Sequence, residues 1–118
     1  MSTKRIWDIG EVVAIKYLQS KWYSIETTNF KFGRFGEIDI IAKKEGITVF
    51  VEVKYRISEK FWLPEEAITK NKLRKFRKTI DFYCKKNNVD FWEIRFDVIA
   101  IIKKVSSHKL THYRNVEI

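Results

Sequence analysis

The sequence predicts an α/β fold in which a mixed central sheet is flanked by helices. Three observations carry that prediction. Residues 5–20 and 69–86 repeat apolar side chains at helical spacing, residues 36–56 read as a hairpin around a Glu-Gly turn, and residues 98–102 are apolar without a break. Helical and strand periods that alternate along one chain are the pattern of an α/β domain, and an unbroken apolar strand is expected where both faces are covered. A chain of 118 residues is large enough to bury a core and too small for two, so residues 1–118 are expected to form one domain.

In the first helix Ile6, Ile9, Val13, Tyr17 and Leu18 form the apolar stripe. Glu11 is in register with Trp7, Ala14 and Leu18, at the margin of the stripe. A carboxylate there is either a partly buried structural group or one aimed into a site. The stretch "YSIETTNF" alternates Tyr23, Ile25 and Thr27 and predicts a strand, ended by the basic, glycine-containing turn "KFGRFG".

The hairpin follows. With Glu45 and Gly46 as the central pair of a two-residue turn, Asp39 faces Glu52 and Glu37 faces Lys54. Strict alternation then places these four charges on one face of the sheet and Ile38, Ile40, Val51 and Val53 on the other. Beyond Pro64, in the loop "ISEKFWLPEE", the second helix carries Leu73, Phe76, Ile80 and Tyr83 or Cys84 on its apolar side. Thr69 is its expected N-cap, and Asn87 with Asn88 its stop. Asp97, just after Arg95, is expected to make a structural pairing between strand ends, and the tail "THYRNVEI" to add an edge strand.

Charge narrows the range of partners. The chain holds 24 Lys and Arg against 15 Asp and Glu, a formal +9, which favours a polyanion and nucleic acid first. Lys70, Lys72, Arg74, Lys75, Arg77 and Lys78 crowd the second helix, as a phosphate-contacting surface or as a plain solvated face. Arg56 either binds phosphate or joins a surface salt bridge. The longest uncharged apolar runs, "ITVFV" and "VIAII", are of strand length, so no membrane span or membrane partner is expected. The first residues lack the apolar core of a signal peptide, and Cys84 is the only cysteine; both suit a reducing cytoplasm. Cys84 reads as a small residue on a helix face. His108 and His112 read as surface residues, because a zinc site needs more ligands at closer quarters.

Two carboxylates directly across a ladder repel each other unless a positive charge lies between them. For Asp39 and Glu52 a hard divalent cation, Mg²⁺ or Mn²⁺, is the economical answer, because such ions take one or two carboxylates and complete their shell with water and phosphate oxygens. Lys54, on the same face, can deprotonate or position an attacking water or hold the departing phosphate. The chemistry implied is in-line hydrolysis of a phosphodiester. The plain alternative is a solvent-facing network in which Lys54 pairs with Glu37 and Glu52.

The order Asp39, twelve residues, Glu52, one residue, Lys54 resembles the signature of the PD-(D/E)xK restriction-endonuclease-like superfamily. Joined to "GEVVAIKYL" at 10–18, "FGEIDIIA" at 35–42, "VFVEVKYR" at 49–56, "PEEAIT.NK" across 64–72 and "RFDVIAI" at 95–101, it resembles the YraN-type family of uncharacterised endonuclease-like proteins. More distantly it resembles archaeal Holliday-junction resolvases. The resemblance implies a restriction-endonuclease-like fold and an Mg²⁺- or Mn²⁺-dependent endonuclease acting on branched, flapped or single-stranded nucleic acid, DNA ahead of RNA. Asp39 and Glu52 would be metal ligands, with the backbone carbonyl of Val53. Glu11 would be an accessory acid reaching the metal directly or through water, and Lys54 the base or water-orienting group. Glu37 would support Lys54 or approach nucleic acid at the edge of the site, and the analogy with resolvases implies a homodimer.

The chain departs from the family pattern in Ile38, where proline is common, and in Trp22 and Trp62, where many members have glycine. Trp62 either packs on the core or stacks on a base. The competing function is a non-catalytic nucleic-acid-binding or adaptor module that keeps the scaffold and a vestigial site.

Overall fold

The computed structural model of the chain describes residues 3–57 and 69–118. Helix α1 (Thr3–Ser20) is followed by strands β1 (Ser24–Phe32), β2 (Gly36–Lys44) and β3 (Ile47–Arg56), helix α2 (Lys70–Asn87), a single 3₁₀ turn (Phe91–Glu93), and strands β4 (Ile94–Lys103) and β5 (His108–Tyr113). The five strands lie in chain order, β1-β2-β3-β4-β5. All neighbours are antiparallel except β3 and β4, which run parallel and are connected through α2. A parallel pair needs such a crossover, and α2 supplies it. The result is the expected mixed sheet with helices on its faces, compatible with a restriction-endonuclease-like architecture. Pro64 and Trp62 fall outside the described residues, and among those described no helix is long and apolar enough to cross a membrane.

The two helices cover opposite faces. Ala14 and Leu18 of α1 pack with Ile40, Val51, Val53, Ile99 and Ile101, while Phe76, Ile80 and Cys84 of α2 pack with Ile38, Ile41, Phe50, Phe96 and Val98. Alternating residues of β3 and β4 therefore feed two cores, which is why these strands read as continuously apolar. Helix α2 begins where Thr69 accepts the Lys72 N–H at 3.2 Å, and ends at Asn88, whose left-handed φ of 54° turns its own N–H to the Cys84 carbonyl. The helix lies close over Gly36: a β-carbon there would meet Thr79 Oγ1 at 2.5 Å and the Lys75 carbonyl at 3.1 Å. After α1, Trp22 takes a φ of 70° with its ring 86% exposed, a backbone shape that suits glycine and costs about 1 kcal/mol with any other side chain.

The hairpin turn is as expected. Glu45 and Gly46 both have positive φ, 52° and 82°, and the register runs from Lys44 opposite Ile47 to Ile40 opposite Val51. There the ladder stops, and strict alternation fails with it. Ile38 packs under α2, whereas Ile40 packs under α1 with Val51 and Val53. The face assignment of Ile38 with Ile40 is therefore corrected. The irregularity spans two strands: Asn29, between the β1–β2 pairs Thr28–Ile40 and Phe30–Ile38, has a φ of 52°. Glu37 consequently sits opposite Lys31 of β1 and not opposite Lys54, which is a second correction.

Candidate active site

The place where β2 parts from β3 is the place where the predicted carboxylates converge. Asp39 does not pair across a ladder. Its Oδ2 accepts the Val53 N–H at 2.8 Å, doing the work that a backbone carbonyl of β2 would do if the ladder continued. In a strand a residue's N–H and C=O point the same way, so the Val53 carbonyl also opens towards this gap. Glu52 and Lys54 follow the parity of Phe50 and lie on the α2 face. Asp39, Glu52, Val53 and Lys54 are thus brought together at the end of the β2–β3 ladder, although the bond from Asp39 to Val53 replaces the direct cross-strand pair.

The electrostatics of this group are frustrated. Burial pushes the Glu52 carboxyl up to about 10, and its hydrogen bond to Asp39 and the charge of Asp39 push the same way; Lys54 and Lys72 only partly oppose them. Burial also draws the Lys54 ammonium down to about 8, against the pull of Glu52, and Lys72 adds to the lowering. Lys54 is 7% exposed. Two adjacent carboxyl groups that cannot both ionise and a half-dehydrated lysine do not stabilise a fold by being placed together.

A hard divalent cation fits this donor set. Two adjacent carboxyl groups and a carbonyl provide oxygen only, and a cation there would offset the burial that chiefly raises Glu52 together with the added push of Asp39. Among the described residues no three His, Cys, Asp or Glu side chains come together. The Glu11 carboxylate accepts from Asn29 Nδ2 at 3.3 Å, and Asn29 lies between the β1 residues paired with Ile40 and Ile38, which flank Asp39.

Lys72, which sequence reasoning put only on the basic helix, enters the site itself, close enough to both Glu52 and Lys54 to influence them. Its signal was present in the motif "PEEAIT.NK", where the Thr69 cap fixes the first turn that carries it. Lys70, Arg74, Lys75, Arg77 and Lys78 are exposed around it, with Arg74 donating to Asn71 Oδ1 at 2.7 Å. Arg56 lies further along the Glu52–Lys54 face and donates to the Tyr55 carbonyl at 2.8 Å. Cys84 is buried under α2, and burial raises its thiol, so nothing activates it.

Asp97 is structural, as expected, but its setting is richer. The carboxylate is fully buried on the α1 side of β4 and accepts from Arg95 Nε at 2.9 Å and Arg95 Nη2 at 2.8 Å, from the Asn115 N–H at 3.0 Å, and bonds His112 Nε2 at 2.7 Å. Arg95 also donates to Tyr23 Oη at 2.6 Å, and Tyr17 Oη meets His112 Nδ1 at 2.9 Å. Burial alone would raise Asp97, but the bonds to His112, Arg95 and Asn115 outweigh it and hold the carboxyl below its ordinary value. His112, read from sequence as a surface residue, is corrected: its side chain is 4% exposed, because β5 folds it beneath α1. His108 remains on the surface beside Tyr55.

Residues 10–101 match the model of the uncharacterised protein family UPF0102, a span that includes Glu11, Asp39, Glu52, Lys54, Lys72 and Asp97 and closes before β5. Relatives described as UPF0102 proteins include one from Flavobacterium psychrophilum, 42% identical over 90% of this chain and 87% of its own length. One from Clostridioides difficile is 44% identical over 86% and 88% of the two chains, and one from Caldanaerobacter subterraneus 37% identical over 98% and 96%.

Proposed function

The chain belongs to the UPF0102 family, and from the geometry of its site we propose that it is a metal-dependent nuclease that hydrolyses phosphodiester bonds of DNA, with branched, flapped or single-stranded DNA as substrate. The observation that carries this reading is the pairing of Asp39 with Glu52 at the mouth of the β2–β3 gap, beside Lys54 and Lys72. A carboxyl held beside a second one and pushed out of its charged form is a cost to the fold that a catalytic role explains and a structural role does not.

Asp39, Glu52 and the Val53 carbonyl would hold Mg²⁺ or Mn²⁺, with Glu11 in reach through the Asn29 position. Such an ion supplies charge neutralisation at the phosphate and acidifies a bound water. Lys54, drawn down to about 8, is partly neutral near that pH and can take the proton of the attacking water as its oxygen bonds to phosphorus. Lys72 faces the same space and would hold a non-bridging phosphate oxygen, while Lys70, Arg74, Lys75, Arg77 and Lys78 would carry the flanking backbone. The leaving oxygen takes its proton from solvent.

The test is cleavage of a panel of duplex, single-stranded, flap and four-way-junction DNA with Mg²⁺ or Mn²⁺. Wild type should yield product on at least one member, and Glu52→Ala and Lys54→Ala should not. DNA binding by wild type with no product above the variants on any substrate would instead support the non-catalytic binding module.

A further inference from the structure

We propose that Phe32, Phe35 and Phe82 form a base-stacking platform that holds an unpaired nucleotide of single-stranded DNA beside the candidate active site. This rests on the nuclease reading and adds the part of the substrate that must be unpaired.

The rings are arranged as a stack and not as a core. Phe32 lies face to face with Phe82, centroids 4.2 Å apart and planes 10° off parallel, and Phe35 continues from Phe32 at 5.1 Å and 34°. The outermost ring, Phe35, is 53% exposed. The β1–β2 turn sets the stack, because the Phe35 N–H donates to the Phe32 carbonyl at 2.9 Å and so brings both rings to one side. At its inner end Phe30 lies 6.0 Å from Phe82 and meets Tyr83 edge-on at 5.1 Å, so the platform is rooted in the core under α2. A ring held rigid and half in water adds little to the fold, but offers a stacking face at small entropic cost.

The surround identifies the partner. Lys78 Nζ stands 5.6 Å from the Phe35 centroid and Lys86 Nζ 6.0 Å from that of Phe82. An apolar protein partner would require dehydrating these ammonium groups, which lie over the rings, whereas a nucleotide meets both features, its base displacing the flexible lysine from the ring face and its phosphate taking up the ammonium. The path to the site is continuous. Lys72, Lys75, Lys78, Phe82 and Lys86 recur at steps of three or four and share one side of α2, with about 15 Å of helix between Lys72 and Phe82. On the sheet side Phe35 leads directly into β2, four residues before Asp39, roughly 13 Å of strand. A single strand that leaves the Glu52–Lys54 centre along these lysines therefore reaches the platform within a few nucleotides. Bases inside a duplex keep both faces stacked on neighbouring pairs, so the platform selects for unpaired DNA.

The test is fluorescence anisotropy in EDTA, where nothing is cleaved, with a short labelled oligothymidylate and a blunt duplex. Phe35→Ala should weaken oligothymidylate binding about tenfold and leave duplex binding within about twofold, and Phe35→Trp should restore it. A photocrosslink from 5-iodouracil in the same oligonucleotide should map to Phe32, Phe35 or Phe82. Equal loss on both ligands, no loss on either, no binding of either by wild type, or crosslinks only elsewhere would overturn the proposal. Because the assay contains no divalent metal, a failed cleavage test leaves its outcome unaltered, and the two readings fail separately.

Discussion

The sheet holds two clusters of buried charge one register step apart, and they are opposite in kind. Asp97 lies alongside Val51 in the parallel β3–β4 pair and Glu52 alongside Val98, but Asp97 faces α1 and Glu52 faces α2. Around Asp97 every oxygen has donors, a guanidinium balances the charge, and the carboxyl is held below its ordinary value. Around Glu52 a second carboxyl presses close, the balancing lysine is itself dehydrated, and the carboxyl is pushed far up. The two differ in depth and in what meets the charge: Asp97 is fully buried among donors, whereas Asp39 and Glu52 are half-buried and lean on each other. A buried charge met by fixed donors holds chain segments in place; a carboxyl pushed out of its charged form has that cost to gain back from a cation.

Substitution should separate the two clusters most sharply in catalysis. Glu52→Gln, Asp39→Asn and Lys54→Ala should each lower cleavage by about a thousandfold while the protein stays folded, as measured by single-turnover assay and circular dichroism. Asp97→Ala should do the reverse. It takes the shared acceptor from Arg95, buried His112 and the Asn115 N–H at once and should destabilise by roughly 3 kcal/mol, a fall in Tm of about 12 °C, with cleavage per folded molecule little changed. Equal effects of both kinds of substitution on both readouts would erase the distinction.

The pH dependence of stability should also have opposite signs. Because Asp97 titrates below its unfolded value near 3.8, its contribution is present above that pH and is lost as pH falls through the native value. Because Glu52 titrates above its unfolded value near 4.5, burying it costs nothing below that pH, and the cost grows as pH rises towards about 10. Without divalent metal, Glu52→Gln should therefore raise Tm by roughly 4 °C or more at pH 8 and by less at pH 5, in thermal melts. A variant that melts earlier than wild type at pH 8 would mean that Glu52 is satisfied after all. The smallest effect expected is on binding: Lys75→Ala or Arg77→Ala should lower the slope of log affinity against log salt by about 0.7 to 0.9 each, with little change in Tm.

Much of this was legible in the sequence because the signals are local. The Glu45–Gly46 turn determines the register from Lys44–Ile47 to Ile40–Val51, and Thr69 and Asn88 bound α2 by their own side-chain and backbone chemistry. Asp97 next to Arg95 is a pairing that two residues of spacing already suggest. What was not legible depends on distance. The break in alternation at Asp39 coincides with a positive φ at Asn29 in the neighbouring strand, and nothing in "EIDII" announces it. His112 is buried by Tyr17, 95 residues away, and by Asp97, 15 residues away, so a short polar tail gives no hint of it. Lys72 looked like one of six basic residues until the crossover laid the first turn of α2 beside Glu52. Satisfied and strained charges also look identical as letters, and only their neighbours tell them apart.

The central claim, that the Asp39–Glu52 pair is strained because it awaits a divalent cation, is tested most directly by soaking crystals in Mn²⁺ and recording anomalous scattering at the manganese edge. The account predicts a peak between the two carboxylates and the Val53 carbonyl in wild type and none in Glu52→Gln. A wild-type crystal with no peak there, or a peak unchanged by Glu52→Gln, would contradict it.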